Sequence, residues 1–243
     1  MKSLVIGASA GLGRALAEAL AARGHSLFLV ASDETDLVPL ASDLTLRFGI
    51  DVSVRAENLA SADPAGLRED VMARLGGVDN LFYVAGESSL EDSGSIADAR
   101  AIRLMSVNFS AGVRIVNCFL SIMEDNAAAN IVGIGSVAAC RGRRSNSVYG
   151  AAKRGLEFYF ETVRHHLARH HCRVQFYRLG YLQTQMTFGQ DLPFPAMAPA
   201  AAAQKICDNL GKNLGVVYLP RWWFGITSIL QLLPWQVFRK LDI

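Results

Sequence analysis

The sequence predicts an α/β protein: a three-layer, doubly wound fold built on a seven-stranded parallel sheet. Two observations carry this. Short apolar, β-rich runs alternate along the chain with longer stretches of helical periodicity. The short runs are continuously apolar instead of alternating in and out, as a sheet covered on both faces requires.

In order, strands are expected at 2–6 (Lys-Ser-Leu-Val-Ile), 26–31, 52–55, 80–84, 130–134, 172–178 and 215–219. Helices are expected between them at 12–23, 36–48, 65–75, 99–126, 148–171 and 199–210. Each lies between two strands, or after the sixth, where a crossover must cover a face of the sheet. Asp33 stands where it would cap the second helix. The stretch 180–198, with Pro193 and Pro195, has no clear period. It follows a strand's carboxyl end, so it is expected to lie over the binding crevice. No linker or repeat divides the chain, and residues 1–243 read as one domain ending in an apolar segment, 221–243.

Composition narrows the function classes. Of the 243 residues, 51% are hydrophobic and 19% charged, which excludes disorder and allows a large core. The net charge of +2, without a basic block, gives no nucleic-acid footprint. Cys118, Cys140, Cys172 and Cys207 are scattered and read as reduced thiols of a cytoplasmic protein. Met1 runs directly into the first strand, so no signal peptide is expected. His165, His166, His170 and His171 lack a completing carboxylate or thiolate set, so no metal site is expected.

The first motif is Gly7-Ala8-Ser9-Ala10-Gly11-Leu12-Gly13, between the first strand and first helix. Its glycines would let a pyrophosphate approach the backbone, and the helix N-terminus would supply free N–H groups. The second motif is Tyr149-Gly150-Ala151-Ala152-Lys153, with Tyr and Lys on one helix face. Each is weak alone. Their order matters, because Ser136 lies near the end of the fifth strand, 13 residues before Tyr149.

Together these motifs resemble the short-chain dehydrogenase/reductase family over nearly the whole chain, including Asn108 and the Gly180…Thr184 segment. The resemblance implies a Rossmann-like fold and NAD(P)H-dependent interconversion of a carbonyl and a secondary alcohol. It implies Tyr149 as general acid/base, Lys153 as its tuner and ribose ligand, Ser136 as holder of the substrate oxygen, and Asn108 in a proton relay. A neighbouring ammonium is expected to lower the phenol's pKa from its usual ~10. The implied cofactor contacts are Gly7, Ser9, Ala10, Gly11, Leu12, Gly13, Ser32, Asn58, Leu59, Ala85, Gly86, Tyr149, Lys153, Gly180, Leu182 and Thr184. Two positions depart from the family pattern: Val84 replaces an Asn, and Leu179 replaces a Pro. NAD versus NADP is left open. Ala31 replaces the acid that would hold the ribose 2′-OH, and Arg14 is either a 2′-phosphate ligand or a solvated residue.

Within the family, Arg143–Gly150 and the ending from Val217 to Leu241 resemble reductases of a polyprenyl-phosphate-linked 2-ketopentose. These work with a flavin-dependent oxidase partner. Arg141, Arg143 and Arg144 are then either phosphate ligands or a solvated basic loop. From Trp222 to Phe238, 17 residues carry no formal charge, and Arg221 and Arg239-Lys240 flank them. Too short and interrupted to span a bilayer, this segment suits peripheral membrane or lipid contact. A neighbouring subunit of a homo-oligomer, dimer or tetramer, is the alternative. Other open readings are a reductase of another lipid, sugar or small ketone, and a catalytically silent nucleotide-binding scaffold. An extended nucleotide-sugar epimerase is disfavoured, because its sugar domain has no room.

Overall fold

The computed structural model describes residues 1–241; the last two residues of the apolar C-terminal segment lie outside it. The strands are β1 (Lys2–Ile6), β2 (Ser26–Ala31), β3 (Val52–Ala56), β4 (Asn80–Tyr83), β5 (Asn130–Ser136), β6 (Arg173–Leu179) and β7 (Gly215–Leu219). They form one parallel sheet in the order β3-β2-β1-β4-β5-β6-β7. Strand order reverses between β1 and β4, which opens a crevice at the carboxyl ends.

The crossover helices are α1 (Gly11–Ala21), α2 (Glu34–Phe48), α3 (Pro64–Leu75), α4 (Asp98–Met105), α5 (Ala111–Glu124), α6 (Ser147–His166) and α7 (Pro199–Asp208). One core packs α3, α5 and α6 on one sheet face, around Phe119, Leu156 and Phe160. The other packs α1, α2 and α7 on the opposite face, around Leu16, Leu20 and Ile206. Asp33 caps α2 by accepting the Thr35 N–H at 2.8 Å, as the sequence suggests.

Boundaries shift where tertiary contacts override local pattern. β5 runs to Ser136, past the expected end at 134, because its ladder with β6 continues to Ser136↔Leu179. The expected single helix at 99–126 is interrupted by a π-turn, Ser106–Ser110. Carbonyls there take side-chain partners: Leu104 O accepts Asn108 Nδ2 at 3.0 Å, and Val107 O accepts the Tyr83 hydroxyl at 2.6 Å. Asp98–Glu124 is long and apolar enough to cross a membrane by composition. Its buried face, with Leu104, Ile115 and Phe119, lies in the protein core.

At the amino ends of the strands, opposite the crevice, three central strands are cross-linked by buried polar side chains. Ser3 Oγ contacts His25 Nδ1 at 2.8 Å and accepts Asn80 Nδ2 at 3.0 Å, while Asn80 Oδ1 accepts Asn130 Nδ2 at 2.9 Å. Ser3, Asn80 and Asn130 are register partners.

The C-terminal segment is helical: α8 (Trp223–Leu232), then a short α9 (Trp235–Phe238). Trp223, Ile226, Thr227 and Leu230 form its inward face at helical spacing, and Phe224, Ile229 and Leu232 face outward.

Candidate active site

A cavity of about 1040 Å³ lies at the crevice. Every expected cofactor contact lines it, from Gly7, Ser9, Ala10, Gly11, Leu12 and Gly13 through Ser32, Asn58, Leu59, Ala85 and Gly86 to Gly180, Leu182 and Thr184. Ser136, Tyr149 and Lys153 line it as well. Asn108 does not. It is fully buried behind Gly86 and Glu87, donating to Glu87 O at 2.8 Å and accepting the Glu87 N–H at 3.2 Å.

The glycine turn is a cradle. Gly7 and Gly11 have φ of +95° and +52°. A β-carbon on Gly13 would stand 1.8 Å from Gly7 O, so α1 can seat on the turn only without a side chain there. Gly13 therefore serves the fold first, which corrects the expectation that it chiefly admits the cofactor. Ala10, at the N-cap of α1, provides no side-chain cap, so the first-turn amides point into the cavity without a protein partner. Such a cradle fits the pyrophosphate of a dinucleotide. Asp33 is turned to Thr35, and Arg14 pairs with Glu18 at 3.4 Å on the solvent side, so neither lines the cavity.

The end of the cavity that holds Ser136, Tyr149 and Lys153 is built by β5 and α6. Ser136 Oγ accepts the Ala138 N–H at 3.1 Å. Burial pushes the Tyr149 phenol above its ordinary pKa, and a hydrogen bond with Ser136 opposes the shift. Lys153 is 3% exposed, and burial lowers its ammonium to about 8. Its Nζ donates to Ala85 O at 3.0 Å and Ile134 O at 3.2 Å. Burial is the largest influence on the phenol, and the ammonium is directed at two main-chain carbonyls.

Four residues of the cavity wall escaped the sequence reading. Asp92 is 2% exposed and caps α6: Oδ1 accepts from Ser147 Oγ at 2.5 Å and the Val148 N–H at 2.9 Å, and Oδ2 accepts the Tyr149 N–H at 2.9 Å. Burial pushes its pKa up, but the hydrogen bonds from Ser147, Tyr149 and Val148 outweigh that and leave it lowered. Glu87 and Arg103 form a bidentate ion pair on the wall. Trp223 is 4% exposed, and its indole N lies against Gly180, where a β-carbon would come within 1.8 Å. The only sequence hints were an Asp in an aperiodic loop and a Trp in an apolar tail.

Arg141 is not free for a phosphate. Its guanidinium donates to Leu230 O, to Leu233 O at 2.7 Å, and stacks 3.8 Å over the Phe238 ring. Gln231 Nε2 adds a bond to Cys140 O at 3.0 Å. The C-terminal helix is thereby tied to the loop before Tyr149, and Trp223, Ile226 and Leu230 wall the cavity. Loop 180–198 lies over the crevice as expected, with Tyr181, Met186 and Phe194 on the wall. Among the described residues no His, Cys, Asp and Glu group could hold a metal; His166 instead meets Glu124 at 2.8 Å.

A family profile described as short chain dehydrogenase matches residues 2–191. The chain belongs to the short-chain dehydrogenase family and is an NAD(P)-dependent oxidoreductase. It is 29% identical over 188 residues to the 3-oxoacyl-[acyl-carrier-protein] reductase of Escherichia coli K12, covering 76% of this chain and 75% of that protein. An uncharacterised oxidoreductase of Mycobacterium tuberculosis H37Rv is 24% identical over 246 residues, 98% of this chain and 96% of its own. Among solved structures, a short-chain dehydrogenase from Sphingobium yanoikuyae in complex with NADPH superposes with a TM-score of 0.82. It is 25% identical, covering 99% of this chain and 96% of that one.

Proposed function

We propose that this chain reduces the keto group of a polyprenyl-phosphate-linked 2-ketopentose, using NAD(P)H, with residues 1–243 acting as one catalytic unit. The reading places it beside the reductase subunit of decaprenylphosphoryl-β-D-ribose 2′-epimerase, with a flavin-dependent oxidase as its partner. The observation that carries it is the apolar wall of the substrate half. Phe194, Trp223, Ile226 and Leu230 line the main cavity. Phe194 and Ile226 are shared with a second, apolar cavity of about 450 Å³ between Pro195, Met197, Pro220 and Trp222. A prenyl chain has a path there away from the reacting carbon.

When bound, the dinucleotide supplies the hydride. The chain's own residues supply the rest. Tyr149 gives its phenolic proton to the carbonyl oxygen as that oxygen gains charge. The Ser136 hydroxyl holds the same oxygen. Lys153, fixed by Ala85 and Ile134, presents its remaining donor capacity to the ribose. Asn108 keeps the Gly86–Glu87 backbone in place, and its relay role would pass through that position. The outward Phe224, Ile229, Leu232 and Trp235 give the apolar end its membrane-facing side.

The test is cofactor oxidation, followed by absorbance, with a farnesyl-phosphate-linked 2-ketopentose and with the unlinked ketopentose. At least a tenfold higher kcat/KM for the lipid-linked ketose is expected. Equal values would leave a reductase of small ketones.

A further inference from the structure

We propose that Arg143, together with Ser145 and Asn146, forms an oxyanion subsite that takes the phosphate of the substrate. The proposal rests on reading the cavity as a ketone-reductase site, but not on the substrate carrying a prenyl chain.

The structure separates the three arginines before Tyr149. Arg141 is consumed by the carbonyls of α8 and by Phe238. Arg144 is exposed and off the cavity wall. Arg143 lines the cavity, and its Nε is buried without a partner. Burying an N–H of a charged group without an acceptor is unfavourable, and an acceptor brought to this guanidinium by a ligand would offset that cost. Ser145 and Asn146 line the same wall. Asn146 sits at the N-cap of α6 with φ +58°, yet its side chain caps nothing. Three side chains with donors therefore face the cavity from one short loop between Ser136 and Tyr149.

The surrounding charges make this loop the anion-seeking part of the substrate half. The N-terminal amides of α6 at Val148 and Tyr149 are already taken by Asp92, whose carboxylate is in turn consumed by them and by Ser147. Of the other acids that line the cavity, Glu87 is neutralised by Arg103, and Asp191 is an exposed residue of loop 180–198. Among the described residues Arg143 has no ion-pair partner within 4.0 Å. A guanidinium with a free fork suits a phosphate, which it can hold through two parallel N–H···O bonds. Its place in the loop that leads into the catalytic helix puts that phosphate close to the reacting carbonyl, as a ketose phosphorylated near its keto carbon requires.

The experiment is calorimetry on the complex saturated with NADP+, titrated with farnesyl phosphate, farnesol and inorganic phosphate. Wild type is expected to bind farnesyl phosphate at least tenfold more tightly than farnesol. Arg143→Gln should abolish that difference, Arg143→Lys should keep part of it, and Arg144→Gln should keep all of it. Lack of Arg143-dependent binding of both farnesyl phosphate and inorganic phosphate overturns the proposal. So does a preference that survives in both Arg143 variants. If inorganic phosphate binds as tightly as farnesyl phosphate and depends on Arg143, the subsite stands and the prenyl reading falls.

Discussion

Asp92 Oδ2 accepts the backbone N–H of Tyr149 at 2.9 Å, so the first turn of α6 is set by a carboxylate more than fifty residues earlier. The same carboxylate holds Ser147 and Val148, and its own carbonyl accepts the Asn146 N–H at 2.6 Å. The loop after β4 and the start of α6 therefore move together.

Replacing Asp92 with Ala should cost about 1–2 kcal/mol of stability through loss of the cap. It should lower kcat more than it raises KM for cofactor, because the phenol loses its fixed position while the glycine cradle is untouched. Because the folded carboxyl pKa is depressed, the cap's contribution is complete above the ordinary carboxylate pKa and is lost as pH falls through the folded value. Thermal melts of wild type and variant should converge only in acid.

Tyr149→Phe should abolish turnover and leave dinucleotide affinity within about twofold, since only the transferable proton is removed. Comparable loss of binding by calorimetry would make the hydroxyl structural.

Lys153 gives a pH test with a defined sign. Its folded pKa of about 8 lies below the ordinary 10.5, so unfolding takes up a proton between those values. Raising pH across that window stabilises wild type by up to about 1.4 kcal/mol per pH unit relative to Lys153→Met. Denaturant melts at pH 7.5 and 9.5 check this. A difference that does not change with pH would mean the ammonium is not held as described.

The glycine turn calls for two variants. Gly13→Val should leave little folded protein, because its β-carbon would overlap Gly7 O. Ser9→Glu should instead fold and weaken dinucleotide binding at least tenfold, since it places a negative charge at the pyrophosphate cradle. Normal affinity in a folded Ser9→Glu protein would remove the nucleotide from that site.

Asp33→Ala should lower stability through loss of the cap and leave the NADH-to-NADPH preference unchanged, because the carboxylate caps α2 and does not line the cavity. A shifted preference would return Asp33 to the ribose.

What was legible in the sequence follows from what is local. Strands β1, β2 and β7 were bounded as observed, because each is a closed apolar run. The glycine turn, Ser136, Tyr149 and Lys153 were legible because their spacing along the chain is itself the signal. Asp92, Glu87 and Arg103 were not, since an acid in an irregular loop looks like any solvated residue until the helix it caps is placed beside it. The π-turn at Asn108 was hidden for the same reason: Leu104-Met105 before it and Ala111 after it continue the helical pattern, and its carbonyl partners, Asn108 Nδ2 and the Tyr83 hydroxyl from β4, are set by the tertiary fold. The tail's apolar stretch was visible, but its inward face could be assigned only once Trp223 met Gly180 and Arg141 met the carbonyls of α8. That contact also changes the useful experiment on membrane contact. Truncation after Leu219 would remove a cavity wall, so Ile229→Ser with Leu232→Ser on the outward face is the cleaner variant.

The ladder of Ser3, Asn80 and Asn130 works at a distance from every reacting atom. Parallel strands buried on both faces offer near-equivalent apolar neighbours, and a slip by one residue would shift a strand's end by about 3.3 Å. Each polar side chain in the ladder has its partner only in the observed alignment. The tolerances of the crevice are thus machined at the amino ends of the strands: β1 delivers Gly7, β4 delivers Gly86 and β5 delivers Ser136 at matched heights, as rods cut to length and clamped at one end bring their free tips level.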